Sequence, residues 1–193
     1  MTGAALAMIV LLGVAIFSLS KLANAPWTSA LTTPTIQSTF RKDLPHFEYR
    51  DEEKSVTREN FEEKWTLLTF WSITCAPCLE EMPALNQLAL SWQGPEFQIL
   101  TVNFDPENSD DLENAKNFLA DQEIVLPTLF DGKQELKKAF NVTEYPKHFL
   151  ISPDTKIVWE ARGAFKWNDA KARDQLLKLM EQQAPESSQD PAE

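Results

Sequence analysis

The sequence predicts one α/β domain built around a mixed central β-sheet. Apolar runs of strand length alternate with amphipathic helical patterns between residues 43 and 183. The series ends with two adjacent strand candidates and a last helix, so a hairpin joins an otherwise alternating order. The length of 193 residues suits about one such domain.

The first half of this region carries the longest apolar run and a helix directly after it. Residues 47–50 and 55–57 are short strand candidates around an acidic turn, and 66–71 (TLLTFW) is typical of a strand buried on both faces. The helix begins near Cys75, and Pro83 predicts a kink within it. Its apolar residues recur at spacings of three and four, at Leu79, Met82, Leu85, Leu88, Ala89 and Trp92.

The second half continues the alternation of strands and helices. In chain order the candidates are strand 97–104, a helix capped by Asn108 or Ser109, strand 128–130, helix 133–140, strands 147–152 and 157–162, and a helix opened by Asn168 or Asp169. The last two strands flank Pro-Asp-Thr-Lys, which is a turn composition, and we therefore expect them to pair as an antiparallel hairpin.

Composition excludes several classes of function. The 18 Lys and Arg against 29 Asp and Glu give a formal charge of -11, which opposes binding to a nucleic acid backbone. Five glycines form no phosphate-binding motif. With two histidines and two cysteines, a zinc site made by the chain alone would need all four of them. We expect no metal and no cofactor.

The amino-terminal segment predicts export. Residues 1–20 carry no charged side chain and span about 30 Å as a helix, which fits either a transmembrane anchor or a signal peptide. An Ala-x-Ala pattern at 23–25 favours cleavage, whereas the length of the apolar run favours an anchor. The polar segment 21–42 predicts a flexible tether, 43–183 the folded domain, and 184–193 a disordered acidic tail.

The two cysteines are the strongest chemical signal in the chain. Cys75 and Cys78 follow a predicted strand and open a helix, where free amides and the helix dipole stabilise a thiolate. This position favours thiol–disulfide exchange, with Cys75 as the attacking thiol and Cys78 as the resolving one. A zinc half-site and a purely structural disulfide remain weaker alternatives, and haem attachment would need a histidine at position 79, which is Leu79.

Several motifs in order resemble one family. The sequence FWSITCAPC at 70–78 resembles the FWAxWCxPC signature of the thioredoxin superfamily, and EEMP at 80–83 continues it as in the membrane-tethered TlpA/ResA-type thiol–disulfide oxidoreductases. VTEYPKHFLI at 142–151 is similar to the family's V-x-G-x-P-T-T-F-L-I segment, and LPHF at 44–47 to its xPxF entry motif. The resemblance spans residues 43–182 and implies a thioredoxin-like fold after a transmembrane helix.

The resemblance also implies roles for individual residues. Pro146 matches the family's cis-proline, and Tyr145 before it lines the substrate groove. Trp71 and Pro77, which frame the cysteines, are further substrate-contact candidates. Glu81 matches the family's active-site glutamate, and we expect its titration to be coupled to the buried thiol, although a solvated surface glutamate is the alternative.

The chain departs from the family pattern at several positions. Thr74 replaces the usual Trp before the first cysteine, and Glu144 replaces the usual Gly. Lys147 and His148 replace a Thr pair. We expect His148 to be a half-exposed strand residue, with a role in local titration as the less favoured alternative.

The function expected from these features is that of an extracytoplasmic reductant. The protein would be anchored in the inner membrane by a single transmembrane helix, with its domain on the periplasmic side. There it would exchange electrons with protein thiols and disulfides. The family resemblance implies recharging by a membrane thiol donor of the DsbD type, and cytochrome c maturation as one assignment. The alternatives are a thioredoxin-like module that binds Cu(I) or docks a partner, and, last, a thiol peroxidase.

Overall fold

The computed structural model describes residues 40–50, 55–107 and 109–185. Within these ranges a six-stranded sheet has the order β1-β8-β7-β4-β5-β6, and β2 and β3 form a separate two-stranded sheet. The strands are β1 (Lys42–Asp43), β2 (Tyr49–Arg50), β3 (Ser55–Val56), β4 (Trp65–Trp71), β5 (Phe97–Asn103), β6 (Thr128–Phe130), β7 (Lys147–Ile151) and β8 (Lys156–Arg162). The large sheet is mixed as predicted, because β4, β5 and β6 are parallel while β7 runs against β4 and β8 against β7.

In the described ranges, four α-helices cover this sheet, together with one short 3₁₀ turn at Arg58–Phe61. The helices are α1 (Ala76–Ser91), α2 (Asp110–Asp121), α3 (Glu135–Ala139) and α4 (Ala170–Gln182). The side chains of Cys75, Ser109 and Asp169 accept backbone N–H groups at the starts of α1, α2 and α4, so each of these helices begins at a capping residue.

The central strand β4 is completely buried, and its side chains alternate between two apolar cores. Trp65, Leu67 and Trp71 belong to a core shared with α1, α2 and α4. Leu68 and Phe70 belong to a second core, shared with α3 and the 3₁₀ turn. This alternation decides which neighbouring polar residues reach the cysteines, because α1 lies against the first core.

Most predicted elements are confirmed, with two differences. The edge strand β1, paired with β8, was not predicted, and it contains Lys42, the last residue of the predicted tether. Helix α3 starts later than expected because Gln134 has a left-handed backbone (φ 58°), which cannot continue a helix. Helix α1 contains Pro83, as predicted.

The predicted membrane segment 1–20 lies outside the described residues, as does most of the tether and the end of the tail. Among the residues that the structure describes, no helix has both the length and the apolar character needed to span a bilayer.

Candidate active site

Cys75 and Cys78 form a disulfide at the start of α1, with their Cα atoms 5.3 Å apart. Cys75 is the N-cap of the helix, and its Sγ atom accepts the backbone N–H of Cys78 at 3.2 Å. Cys75 keeps 6% of its surface exposed, whereas Cys78 is completely buried. A reduced Cys75 would therefore be the more accessible sulfur, and the helix terminus would stabilise its thiolate.

The turn before Cys75 is held by a buried carboxylate from the next strand along. Asp105, just after β5, accepts the hydroxyl of Ser72 at 2.5 Å and the backbone N–H of Ile73 at 2.8 Å. The amide of Asn103 donates to the same carboxylate at 2.7 Å. Sequence analysis did not predict a role for Asp105. Its position could have indicated one, because polar residues at the carboxyl end of a buried parallel strand lie near the site in such sheets.

The peptide bond between Tyr145 and Pro146 is cis, as the resemblance implies. The Pro146 carbonyl accepts the backbone N–H of Gly163 at 3.0 Å, which ties this turn to the segment after β8. Tyr145 is 42% exposed, and its ring packs edge-on against Phe104 with 5.0 Å between centroids. Tyr145 therefore offers an exposed aromatic surface held from beneath by a buried ring.

Glu81 is completely buried in the first core, so the solvated alternative is wrong. Its Oε2 atom accepts the backbone N–H of Phe165 at 2.9 Å and the indole N–H of Trp167 at 3.3 Å. Burial raises the pKa of the Glu81 carboxyl to about 8, and these two hydrogen bonds oppose the rise. Because Glu81 follows Cys78 by three residues on α1, both side chains lie on one helix face. Glu80, by contrast, is exposed as expected.

His148 is also completely buried, which corrects the expectation of a half-exposed residue. It pairs with Thr69 across β4 and β7, and its Nδ1 atom lies 3.1 Å from the Thr69 hydroxyl. The rings of Phe165 and Trp167 flank the imidazole at centroid distances of 5.3 and 5.2 Å. Sequence analysis missed this enclosure because Phe165 and Trp167 lie in an irregular segment without apolar periodicity. Burial lowers the pKa of His148 to about 3.

Three further residues from the motif lie in different environments. Trp71 has no exposed surface and packs near Phe118, so the expectation that its side chain contacts substrate is corrected. Its place at the end of the fully buried strand β4 explains this. Pro77 and Thr74 are exposed beside the disulfide, so they border the surface that a substrate would meet.

Comparison with known proteins assigns the chain to a family. The family model AhpC/TSA matches residues 40–160. The chain belongs to the AhpC/TSA family. It is 30% identical over 123 residues to the thiol-disulfide oxidoreductase ResA of Bacillus thuringiensis subsp. konkukian, covering 63% of this chain and 69% of the relative.

Solved structures share the fold. A putative thiol:disulfide interchange protein DsbE from Chlorobium tepidum matches with a TM-score of 0.62 and 24% identity, over 74% of this chain and 99% of that one. A putative thioredoxin from Neisseria meningitidis matches with a TM-score of 0.63 and 23% identity, over 79% of this chain and 99% of that one. These matches confirm the thioredoxin-like fold. The ResA relatives, together with the cysteine pair, confirm that the chain is a thiol–disulfide oxidoreductase.

Proposed function

We propose that the protein reduces disulfides of other proteins outside the cytoplasm, with Cys75 as the attacking sulfur. The observation that carries the proposal is the position of Cys75 as the N-cap of α1, where its Sγ atom already accepts the N–H of Cys78. The same contact and the helix dipole would stabilise a Cys75 thiolate after reduction.

The reaction transfers two electrons in two exchange steps. The Cys75 thiolate attacks a substrate disulfide, a bond forms between Cys75 Sγ and one substrate sulfur, and the other leaves as a thiolate that takes a proton. Cys78 then loses its proton and attacks Cys75 Sγ, which releases the second substrate sulfur. The products are a reduced substrate and the Cys75–Cys78 disulfide. A thiol donor in the membrane, of the DsbD type, would return the two electrons.

Tyr145 and Pro146 provide the surface for a protein substrate. The exposed Tyr145 ring lies at the turn before β7, and Pro77 and Thr74 are exposed at the start of α1. We propose that an extended segment of the substrate pairs with the backbone at Tyr145, as in strand addition. Apocytochrome c, with its haem-attachment thiols, is the candidate substrate that the ResA resemblance favours.

A membrane location is also part of the proposal. Its support is the charge-free run 1–20, which is long enough to cross a bilayer, and the polar segment behind it. An anchored domain of this kind would work in the inner membrane with the redox site on the periplasmic side. It would thereby stay close to its electron donor.

The deciding experiment measures two things separately: whether the protein transfers electrons to a disulfide, and whether it acts as a reductant or an oxidant in the cell. The reduced full chain in detergent should reduce insulin disulfides, and the Cys75→Ser variant should not. In freshly isolated membranes, thiol alkylation and the resulting mass shift should find Cys75 and Cys78 mostly reduced. If Cys75 and Cys78 were found mostly oxidised, the protein would instead act as an oxidant. Tight Cu(I) retention against a chelator without insulin reduction would favour the binding module.

A further inference from the structure

One oxygen of the buried Glu81 carboxyl lacks a hydrogen bond. Oε2 accepts from Phe165 and Trp167, but Oε1 makes no hydrogen bond to any residue that the structure describes. Orphaned buried oxygens of this kind are rare and costly, and they call for a structural explanation. The polar atom that the structure places opposite Oε1 is Nε2 of His148, at 3.5 Å.

The orientation of His148 is fixed by two other contacts. Nε2 lies 3.1 Å from the carbonyl oxygen of Gly163, which can only accept a hydrogen bond. Nε2 therefore carries a proton, and Nδ1 accepts the hydroxyl proton of Thr69 in the neutral ring. The Nε2–H group is thus held beside Glu81 by a backbone carbonyl and a threonine that do not depend on the charge of Glu81.

The gap of 3.5 Å is explained by the protonation state of the pair. Burial favours the neutral forms of both Glu81 and His148. Because Oε2 already accepts two N–H groups, the carboxyl proton lies on Oε1, so two donors face each other and no hydrogen bond forms between them. When Glu81 ionises, Oε1 becomes a hydrogen-bond acceptor, and the Nε2–H group of His148 can donate to it as well as to the Gly163 carbonyl. A hydrogen bond that forms only with the ionised carboxyl stabilises that form.

We propose that His148 is a positioning residue for Glu81, whose Nε2–H group stabilises the ionised carboxylate that takes the proton of Cys78. This inference deepens the proposed function and rests on it for the role of Cys78 as the resolving thiol. His148 acts through Glu81, which its Nε2 atom faces at 3.5 Å.

The step assisted is the release of substrate from the mixed disulfide. The Cys78 thiol transfers its proton to the Glu81 carboxylate, and Cys78 Sγ forms a bond to Cys75 Sγ. The bond between Cys75 and the substrate breaks, and its electron pair leaves with the substrate sulfur as a thiolate. The rate depends on the fraction of Glu81 that is ionised, and His148 raises this fraction.

The other titratable or charged groups around the pair come from α1, from β7 and from the segment after β8. Cys78 lies on the same face of α1 as Glu81. Lys147 precedes His148 on β7 but points to the opposite face of the sheet, where it pairs with Glu160 of β8 at 3.2 Å. Lys166, between the two aromatic residues that flank His148, is exposed. Lys147 lowers the pKa of His148 further, which favours the neutral ring.

The first test is spectroscopic and uses the oxidised protein, in which the cysteines do not titrate. Nitrogen chemical shifts should show His148 as the neutral ring protonated at Nε2 at neutral pH. An imidazolium or a ring protonated at Nδ1 would overturn the proposal without any variant. The Glu81 carboxyl carbon should titrate about one pH unit higher in His148→Leu than in the wild type. His148→Gln, which keeps an N–H donor, should return the Glu81 titration most of the way to the wild-type value.

The second test is kinetic and uses an aromatic disulfide, dithiobis(nitrobenzoate). Attack by Cys75 releases one coloured thiolate, and resolution by Cys78 releases the second. At neutral pH, His148→Leu should slow the second release about tenfold and leave the first unchanged, because a shift of one pH unit changes the ionised fraction about tenfold. Equal slowing of both releases, or an unchanged second release, would overturn the proposal. Neither test uses a protein substrate, so failure of the proposed function remains distinguishable.

Discussion

Asp105 accepts the backbone N–H of Ile73 at 2.8 Å, and this bond joins the end of β5 to the turn that delivers Cys75. The carboxylate is 3% exposed and also receives donors from Ser72 and Asn103. Three donors therefore converge on one buried group. Since a buried donor left unpaired costs about 1–3 kcal/mol, this carboxylate holds the turn in place.

Replacing Asp105 should destabilise the domain. We expect Asp105→Ala to lower the free energy of unfolding by about 3 kcal/mol, because it leaves the donors of Ser72, Ile73 and Asn103 without their acceptor. Chemical denaturation of the oxidised protein measures this. Asp174→Ala on the exposed face of α4 is the matched control and should change stability by less than about 0.5 kcal/mol. Equal effects of the two substitutions would contradict the assigned role.

The two cysteines should differ in trapping experiments. Cys78→Ser should accumulate a mixed disulfide with substrate through Cys75, because the resolving thiol is absent. Cys75→Ser should trap nothing and lose reductase activity, since the remaining sulfur is completely buried. Non-reducing gels and intact-mass analysis detect the adducts. Reductase activity in Cys75→Ser, with no adduct in Cys78→Ser, would reverse the assignment.

The fold and the sulfur chemistry could be predicted from the sequence because their signals are local. The buried run of β4, the helix period after Cys75 and the motif around Pro146 each occupy one short segment. The environment of Glu81 could not be predicted in this way. It depends on Phe165 and Trp167, which reach the carboxyl from a segment more than 80 residues away. The burial of His148 depends on the same segment and on the register of β7 against β4.

The buried pair should also shape the pH dependence of stability. Folding raises the pKa of Glu81 from 4.5 to about 8 and lowers that of His148 from 6.5 to about 3. Between pH 4.5 and 6.5 the unfolded pair holds one proton on His148, and the folded pair holds one on Glu81. The pair therefore adds no slope in this window. Between pH 6.5 and about 8 only the folded pair keeps a proton, so stability falls as pH rises through this window.

Glu81→Gln should change the shape of this pH profile of stability. With the carboxyl removed, His148 alone contributes, so stability should rise between pH 4.5 and 6.5 and then level off. Between pH 6.5 and about 8, the wild type should lose up to about 1.4 kcal/mol per pH unit relative to this variant. Denaturation of the oxidised proteins across the range provides the measurement. Glu80→Gln, which alters an exposed neighbour, should keep the wild-type profile, and an identical profile for Glu81→Gln would be incompatible with a buried neutral carboxyl.

Tyr145 should matter for large substrates and not for small ones. Tyr145→Ala removes an exposed ring beside the cis-proline, so kcat/KM for insulin or an apocytochrome peptide should fall about tenfold. The rate with dithiobis(nitrobenzoate) should stay within about twofold, because a small disulfide reaches Cys75 without that surface. Leu90→Ala removes another exposed apolar side chain, on α1, and should affect neither substrate. Parallel losses for both substrates in Tyr145→Ala would contradict a binding role.

Attachment to the membrane can be checked directly on the full chain. We expect it to stay with membranes through an alkaline carbonate wash, because the run 1–20 lacks charged side chains and is long enough to span a bilayer. A chain that starts near Arg41 should be released. Intact-mass analysis that finds a mature chain starting at Pro26 would instead establish a cleaved signal peptide.

The segment from Gly163 to Trp167 limits what can be transplanted from this protein. It supplies the carbonyl that orients His148, the N–H from Phe165 to Glu81, and the indole of Trp167. A graft of the CAPC tetrapeptide onto another strand–helix junction would carry the two sulfurs but none of these groups. Such a chimera could form the disulfide, but it would lack the buried Glu81 carboxyl and the groups that position it. A faithful transfer needs the loop after β8 as well as the motif itself.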